Sequence, residues 1–278
     1  MIGDLVEAKA GLALFSNAFC AFANYNTGTG VFPMLRKDKR LSSQLRPLGL
    51  LSGFQIHPAG SVLIAFGQTR VLCSVSVEHS VPRWRKEEGL PGGWITAEYQ
   101  MLPGATTQRS VREVTRGKLS GRSAEIQRLI GRSLRAVVDL EKLPEITLHV
   151  DCDVIDADGG TRCAAITGAS LALELAVEKL LQEGVLTQSP IREPIAAVSV
   201  GLLQQKVLLD LCYEEDAAAE VDLNVVMTRS GKFVEVQGSG EEATFSESQL
   251  QEMLSMAKNG LQKIFDSTTA ELAKSRLG

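Results

Sequence analysis

The chain is short of the residues that mark secreted, membrane-spanning or zinc-bound proteins. Its 278 residues hold five cysteines (Cys20, Cys73, Cys152, Cys163 and Cys212), an odd number with no CxxC spacing. That excludes a disulfide framework and a cysteine zinc site, and it suits reduced thiols in the cytoplasm. Three histidines (His57, His79, His149) lie far apart, and none forms a Ser/His or His/carboxylate pattern, so they read as structural. No apolar run reaches the roughly 18–20 residues of a membrane span. No GxxxxGK[ST] string exists, which excludes a Walker nucleotide loop. No repeat of 20–50 residues is present, which excludes a solenoid. What remains, 44% hydrophobic and 22% charged residues, describes an ordinary globular protein. At this length about three-quarters of the unfolded surface can be buried, so no metal or disulfide staple is required.

Net charge is −4, which taken alone argues against a nucleic-acid partner. Its distribution argues otherwise. Residues 105–135 carry Arg109, Arg112, Arg116, Lys118, Arg122, Arg128, Arg132 and Arg135 against only Glu113 and Glu125, a window of +6 that leaves −10 for the rest. Residues 208–222 hold Asp210, Glu214, Glu215, Asp216, Glu220 and Asp222 with no basic residue. A basic stripe in an acidic chain points to local anion binding or to a solvated face. The acidic cluster points to a hard cation or to a solvated turn.

The first 33 residues carry only Asp4, Glu7 and Lys9 as charges, followed by an apolar stretch from Ala10 to Ala23 broken by Ser16 and Asn17. Ala21-Phe22-Ala23 resembles a signal-peptidase site, but the preceding segment is net negative where a signal needs positive charge. Residues 1–33 are expected to be a poorly ordered extension, or sequence upstream of a start at Met34, with one domain over 34–278.

Along that domain, Ser61–Phe66 and Arg70–Val77 are rich in β-branched residues and flank Gly67-Gln68-Thr69, the pattern of a strand, a tight turn and a strand. Residues 81–93, with Pro82, Pro91 and three glycines, are expected to be a loop that includes Trp84, and Trp94–Tyr99 a strand. Residues 122–140 predict a helix: Ile126, Ile130, Leu134 and Val137 fall within about 80° on the wheel. Arg128, Arg132 and Arg135 fall on the opposite, basic face. Arg122 falls on the apolar side at the helix start, where an inward charge needs a partner such as an anion. Ile146–Ile155 predicts a strand, Cys163–Leu181 a buried helix stopped at Gly184, and Ile195–Leu203 a strand. Val207–Tyr213 and Val221–Thr228 are expected to form a hairpin around the acidic run. Lys232–Gln237 is a further strand. Leu250 to Ile264 is an amphipathic helix with Ser246 and Gln249 as its capping box. Grouped strands and helices of this order make an α+β domain with mixed or antiparallel sheet and a possible twofold internal repeat.

Two groups of residues could carry chemistry. Asp158-Gly-Gly-Thr-Arg162 places two glycines between a strand and a helix start at Thr161 or Arg162. Free N–H groups, the helix dipole and the Arg162 fork would suit an anion there. An ordinary glycine turn with a solvent-facing arginine fits the same spacing. Asp216 and Asp222 would suit Mg²⁺, which prefers oxygen ligands and shares them with substrate phosphates; a polar hairpin tip fits the same composition. Asp222 is the sharper of the two because it lies inside an apolar strand.

The strings Gly121–Leu140, Asp151-Cys-Asp-Val-Ile with Ala157–Arg162, Gln44-Leu-Arg-Pro47, Gly93–Tyr99 with Met101-Leu-Pro, Leu208–Asp216, Val221-Asp-Leu-Asn-Val-Val and Glu235-Val-Gln-Gly238 occur in one order. Together they closely resemble the ribonuclease PH family, from about Asp38 to Ile264. The resemblance implies an α+β fold of the ribosomal protein S5 domain 2-like type, in two pseudo-repeated βαβ-containing halves with mixed sheets and helices. It implies a phosphorolytic 3′→5′ exoribonuclease, or tRNA nucleotidyltransferase. Such an enzyme trims tRNA precursors with inorganic phosphate as co-substrate and releases nucleoside 5′-diphosphates. It also implies a homohexamer, a trimer of dimers, and no membrane partner. Carried over by position, Arg122 with Gly160, Thr161 and Arg162 would bind phosphate. Asp216 and Asp222 would be the catalytic carboxylates holding Mg²⁺. Arg109 and Arg112, with Arg128, would contact RNA.

The chain departs from the family pattern at Lys39 (usually Gly), Gly104 (usually Arg), Asp156 (commonly Gln) and Ser239 (commonly Thr). Gly104 removes a charge linked to ring assembly or RNA. The alternative reading is a catalytically silent, RNA-binding ring subunit of an exosome-like assembly. Against it stands the retained set Arg122, Arg162, Asp216 and Asp222.

Overall fold

A computed structural model describes residues 36–240 and 243–277. The extension expected over residues 1–33 lies outside the described residues. The chain divides into units 1–41 and 42–278. Of the first, residues 36–40 form a turn in which the Asp38 carboxylate accepts from the backbone N–H and Nε of Arg40.

The second unit begins with strands β1 (Leu48–Ser52), β2 (Gly60–Phe66) and β3 (Thr69–Glu78). Phe66 pairs with Thr69, so Gly67 and Gln68 make a two-residue turn, with Gly67 at φ +59° as such a hairpin requires. A one-turn helix α1 (Arg83–Glu87) interrupts the segment expected to be a loop, before β4 (Trp94–Met101). Helix α2 (Gly121–Ala136) leads to β5 (Thr147–Asp156), which runs parallel to β4. These strands form a mixed five-stranded sheet in the order β1-β2-β3-β5-β4. Helix α3 (Thr161–Gln182) then crosses to the second sheet, made of β6 (Ile195–Leu203), β7 (Lys206–Leu209), β8 (Val221–Thr228) and β9 (Phe233–Gly240) in the order β7-β6-β8-β9. A short helix α4 (Tyr213–Ala218) lies between β7 and β8, and α5 (Glu247–Ser275) closes the unit.

The α+β class is borne out, with the parallel β4–α2–β5 unit in the first half and an antiparallel sheet in the second. The expected hairpin around the acidic run does not form. β7 and β8 both pair with β6, on opposite edges, and the acidic run winds into α4 instead. The physical reason is that Val207–Leu209 and Val221–Met227 are both apolar enough to flank the fully buried β6.

From Cys163 to Leu173 helix α3 is buried around its whole circumference because it is packed on both sides. It lies on β2, β3 and β5 of one sheet and on β6 of the other. Gly168 permits the close approach to the first sheet, since a Cβ there would come within 2.7 Å of both Cys73 Sγ and Ile64 Cγ2. On its other side Ser170 and Thr167 hydroxyls accept from the backbone N–H of Ile195 (3.1 Å) and Ala197 (3.0 Å). The capping box at Ser246 and Gln249 forms as expected and starts α5.

The predicted helix over 122–140 ends at Ala136, and its basic face is narrower than expected. Arg132 pairs with Glu235 of β9, 2.6 Å, and Arg128 is exposed. Arg135 is instead folded inward. Its guanidinium sits 4.7 Å from the Trp94 ring centroid and donates to the Ile95 carbonyl at 2.9 Å. An aromatic face and a carbonyl satisfy a cation that a hydrophobicity wheel assigns to solvent.

One part-buried carboxylate in α3 has a raised pKa. Burial pushes Glu174 up to about 7 from an ordinary 4.5, with Arg229 opposing and Glu178 adding. An acid whose pKa is raised on folding favours the native state while protonated, so its contribution is lost as pH rises from about 4.5 to 7. Glu174→Gln should therefore raise the guanidinium midpoint at pH 8 and leave it nearly unchanged at pH 5.

Candidate active site

Both glycines between β5 and α3 are required by geometry. Gly159 has φ +73° and Gly160 φ +65°. A Cβ on Gly159 would sit 2.8 Å from the Leu211 carbonyl oxygen, and one on Gly160 2.8 Å from Arg46 Nη2. The turn is tied from three directions. The Asp158 N–H donates to Thr69 Oγ1 at 2.9 Å, and that hydroxyl donates to the Gly159 carbonyl at 2.6 Å. Arg46 Nη1 donates to the Asp158 carbonyl at 2.5 Å. The Asp158 carboxylate accepts from the Tyr213 N–H at 3.2 Å, linking the turn to the start of α4.

Arg46 is itself held by Asp210 in a buried two-pronged pair, Nη2 to Oδ1 at 2.6 Å and Nε to Oδ2 at 3.1 Å. Its backbone N–H also donates to Oδ2, at 2.7 Å. Burial alone would lower the guanidinium pKa, but the Asp210 charge and hydrogen bonds outweigh it and the value is raised. The guanidinium stays charged, and the pair braces the turn on which the rest of the site is mounted.

Past the turn, α3 opens with Gly160 as its N-cap and no capping side chain. Its first backbone N–H groups are therefore available to an anion. Thr161 is 4% exposed, and its hydroxyl lies 2.8 Å from the hydroxyl of buried Tyr99 on β4. Burial raises the Tyr99 pKa, against the Thr161 bond and the positive charges of Arg122 and Arg162. That hydroxyl therefore stays neutral, and the charges of both arginines act on it. Arg162 Nη1 donates to Gln237 Oε1 of β9 at 2.7 Å and lies 3.4 Å from Glu125 Oε1 of α2. Gln237 Nε2 in turn donates to Glu125 at 3.0 Å. Three elements thus meet at one guanidinium.

Arg122 does not turn inward as the wheel suggested. It occupies the second position of α2 and is exposed, although Ser123 beside it is buried. Ser120 caps that helix by accepting from the Ser123 N–H at 3.1 Å, so Arg122 sits at a second helix N-terminus. Asp222 lies in β8, part-buried, opposite Gly201 of β6 and Ser239 of β9. Its Oδ2 accepts from Asn224 Nδ2 at 3.0 Å. Asp216 is in the first turn of α4, part-buried, on the element directly before β8.

Arg122, Thr161 and Arg162 therefore share one neighbourhood around Tyr99, and Asp222 and Arg162 both act on the Cys163 thiol beside them. Arg128 stands apart: six residues from Arg122, it is about 120° around α2 and about 9 Å along it. Arg109 and Arg112 lie exposed in the segment between β4 and α2, where the Arg112 charge acts on Asp153. Tyr99, Glu125, Gln237, Arg46 and Asp210 escaped the sequence reading. Each lies within one of the family-like strings, and Glu125 and Asp210 stood out as charges, but nothing local assigned any of them a place in the site.

The model of the 3′ exoribonuclease family, domain 1, matches residues 44–177, and that of domain 2 matches residues 193–260. The chain is 55% identical over 237 residues to the ribonuclease PH of Bacillus pumilus, covering 85% of this chain and 97% of that protein. It is 55% identical over 242 residues to that of Bacillus subtilis, covering 87% and 98%. Among solved structures it superposes on rice Rrp46 with a TM-score of 0.69 at 22% identity, covering 85% of this chain and all of that one. It superposes on the Archaeoglobus fulgidus exosome with RNA bound to the active site with a TM-score of 0.68 at 21% identity, covering 84% and 92%. These structural likenesses carry the fold alone.

The Arg46–Asp210 pair gives a direct test of the bracing described above. Arg46→Met removes the guanidinium partner of a buried carboxylate and should cost about 3–5 kcal/mol of stability, read from guanidinium unfolding. Replacing both residues by apolar ones of similar volume should recover part of that loss.

Proposed function

The chain belongs to the ribonuclease PH family of 3′ exoribonucleases, and from that membership we propose how its own residues carry out phosphorolysis. The enzyme is a phosphate-dependent 3′→5′ exoribonuclease. An oxygen of inorganic phosphate attacks the terminal phosphodiester, the bond to the preceding O3′ breaks, and that oxygen takes up a proton. A nucleoside 5′-diphosphate leaves and the RNA is one nucleotide shorter. Phosphate is already an anionic nucleophile, so no strong general base is needed. Catalysis consists of placing it in line and stabilising the charge that spreads over the transferring group.

Each assigned residue has a part in that placement. The N–H groups at Gly160 and Thr161 and the Thr161 hydroxyl receive the attacking phosphate. Arg162 and Arg122 neutralise it from two helix starts. Glu125 and Gln237 hold Arg162 at a fixed angle, so its ordering cost is met before substrate arrives. The observation that carries this reading is the buried Thr161–Tyr99 hydroxyl contact at the start of α3, with the charges of Arg122 and Arg162 both acting on Tyr99. Arg109, Arg112 and Arg128 lie outside that cluster and serve the RNA backbone.

Asp216 and Asp222 fit a divalent cation by donor chemistry, since carboxylate oxygens are the hard ligands that Mg²⁺ prefers. Among the described residues no group of three or more His, Cys, Asp and Glu side chains gathers to hold a metal. Two carboxylates would therefore hold the ion together with phosphate oxygens of the substrates. Bound there, Mg²⁺ would neutralise the leaving oxygen. We place the substrate among tRNA precursors, the assembly in a homohexamer built as a trimer of dimers, and the enzyme in the cytoplasm. No described helix is long and apolar enough to cross a membrane. A silent ring subunit is not favoured, since the whole set Arg122, Arg162, Asp216 and Asp222 is present.

Incubation with a tRNA bearing a short 3′ extension should release nucleoside diphosphates and stop when phosphate is withdrawn; nucleoside monophosphates as the main product would overturn the reading. Arg162→Ala should raise the phosphate KM and lower kcat, together about 10²–10³-fold in kcat/KM. Asp222→Asn should abolish Mg²⁺-stimulated turnover with little change in phosphate binding. Wild-type kinetics in either variant would remove that residue from the site.

A further inference from the structure

Two buried groups beside Asp222 have no part in the reaction as described. Asn224, 7% exposed, lies two residues further along β8, and its Nδ2 donates to Asp222 Oδ2 at 3.0 Å. Cys163, 1% exposed, lies in the first turn of α3, and its Sγ donates to Asn224 Oδ1 at 3.3 Å. The directions of these bonds agree with one another. An ionised carboxylate only accepts, so the amide must present its NH₂ to Asp222. Its oxygen then faces Cys163, and the thiol must keep its proton in order to donate. Burial raises the Cys163 pKa, with the negative charges of Asp222 and Asp210 adding and Arg162 and Arg46 opposing. A neutral donor is what that environment favours.

We propose that Cys163 and Asn224 are positioning residues that hold the Asp222 carboxylate in its working orientation. This inference rests on the assignment of Asp222 to the cation-binding pair. A side chain that must be frozen at every turnover adds its lost rotamer freedom to the barrier, whereas two buried hydrogen bonds fix it beforehand. The chain also joins two parts of the site. Cys163 adjoins Arg162 on the same helical turn, so the turn that presents Thr161 and Arg162 to phosphate also anchors the amide that orients Asp222. Asn224 lies between the two on β8, the strand that carries Asp222 itself.

The test uses the full-length enzyme with Cys163→Ser, Cys163→Ala and Asn224→Ala. Phosphorolysis is followed while Mg²⁺ and phosphate are varied separately. Cys163→Ala and Asn224→Ala should raise the Mg²⁺ concentration for half-maximal turnover, or lower kcat, by about 10- to 100-fold, the usual effect of removing a group that orients a metal ligand. The phosphate KM should not move. Cys163→Ser keeps a donor at the same place and should recover most of the loss. Alanine and serine leave nearly the same space, so a packing defect alone would affect both alike. A second readout needs neither metal nor turnover. The infrared S–H stretching band of Cys163, identified as the band lost in Cys163→Ser, should lie at the lowered frequency of a hydrogen-bonded thiol. Asn224→Ala should shift it upward. Cys163→Ala with wild-type Mg²⁺ dependence and kcat, Cys163→Ser as impaired as Cys163→Ala, or a band at the free-thiol frequency would each overturn the proposal. Normal turnover in Asp222→Asn would overturn the assignment of Asp222 itself, an outcome told apart because the infrared band would stay in place.

Discussion

A buried ion pair between Arg46 and Asp210 is the constraint on which the site is built. The two residues are 164 positions apart, and each is almost fully buried. Removing two charges from water is expensive, and the pair persists because nearly every lone pair and proton is used. The guanidinium and its own backbone N–H supply three donors to one carboxylate. The remaining guanidinium nitrogen reaches the carbonyl of Asp158. Asp210 adopts a left-handed backbone, φ +55°, unusual for a residue with a side chain. That strain is tolerated because its N–H and that of Leu211 are both bound by Ser199 of β6, at 2.7 and 3.1 Å. One pair thus joins the segment before β1, the turn after β5 and the loop after β7. The double-glycine turn can then approach Arg46 with no side chain in the way, and α3 begins at a defined place.

Helix α3 carries that placement through the rest of the unit. A helix wetted on one face would leave its first turn free to fray, since its opening N–H groups have no intrahelical partners. This one is enclosed by a sheet on either side, and every residue from Cys163 to Leu173 is buried, so its first turns are fixed. Its N-terminus can therefore stay uncapped by any side chain without becoming mobile. The chemistry of the site follows from that combination. In the proposed phosphate site, open donors on a rigid helix end would bind an anion without reorganising, the condition for electrostatic stabilisation to count in a transition state.

The fold was largely legible in the sequence because periodicity is local. β2, β3, β5 and β6 announced themselves as β-branched runs, and α3 as an apolar run too long for a strand. The glycine pair, Thr161 and Arg162 were legible for the same reason, since a turn and a helix start are written in adjacent residues. Three features were not. The acidic run could equally have been a hairpin tip, and what decided it was that β6 accepts a partner on each edge. The wheel put Arg122 on the buried side because it assumes one buried face along the whole helix, whereas in the first turn of α2 only Ser123 is buried. Arg135 was assigned to solvent because a wheel cannot see Trp94 across the interface. Gln237, Glu125 and Tyr99 surround the arginines through contacts 37 to 112 residues apart in the chain, and no local pattern encodes those.

The charge of the whole chain is a poor guide to its partner because charges act at the range of a screened field, about 8–10 Å at ordinary ionic strength. Within that range of the α3 N-terminus the Arg46–Asp210 pair cancels internally, which leaves Arg122 and Arg162, with Glu125, Asp158 and Asp222 opposing them. Glu125 looks at first like a fault, a negative group placed where an anion should bind. Its geometry resolves the difficulty. It accepts from Gln237 at 3.0 Å and stands 3.4 Å from Arg162, so it engages one edge of the guanidinium through Nη1. An arginine with five donors in a rigid fork can spend one edge on its own protein and still present the other. What is lost in net positive charge is regained in direction, because a guanidinium pinned on one side aims the other at a single place. For a reaction in which an anion must meet a second anionic centre in line, aim contributes more than charge, and the position of Glu125 follows from that requirement.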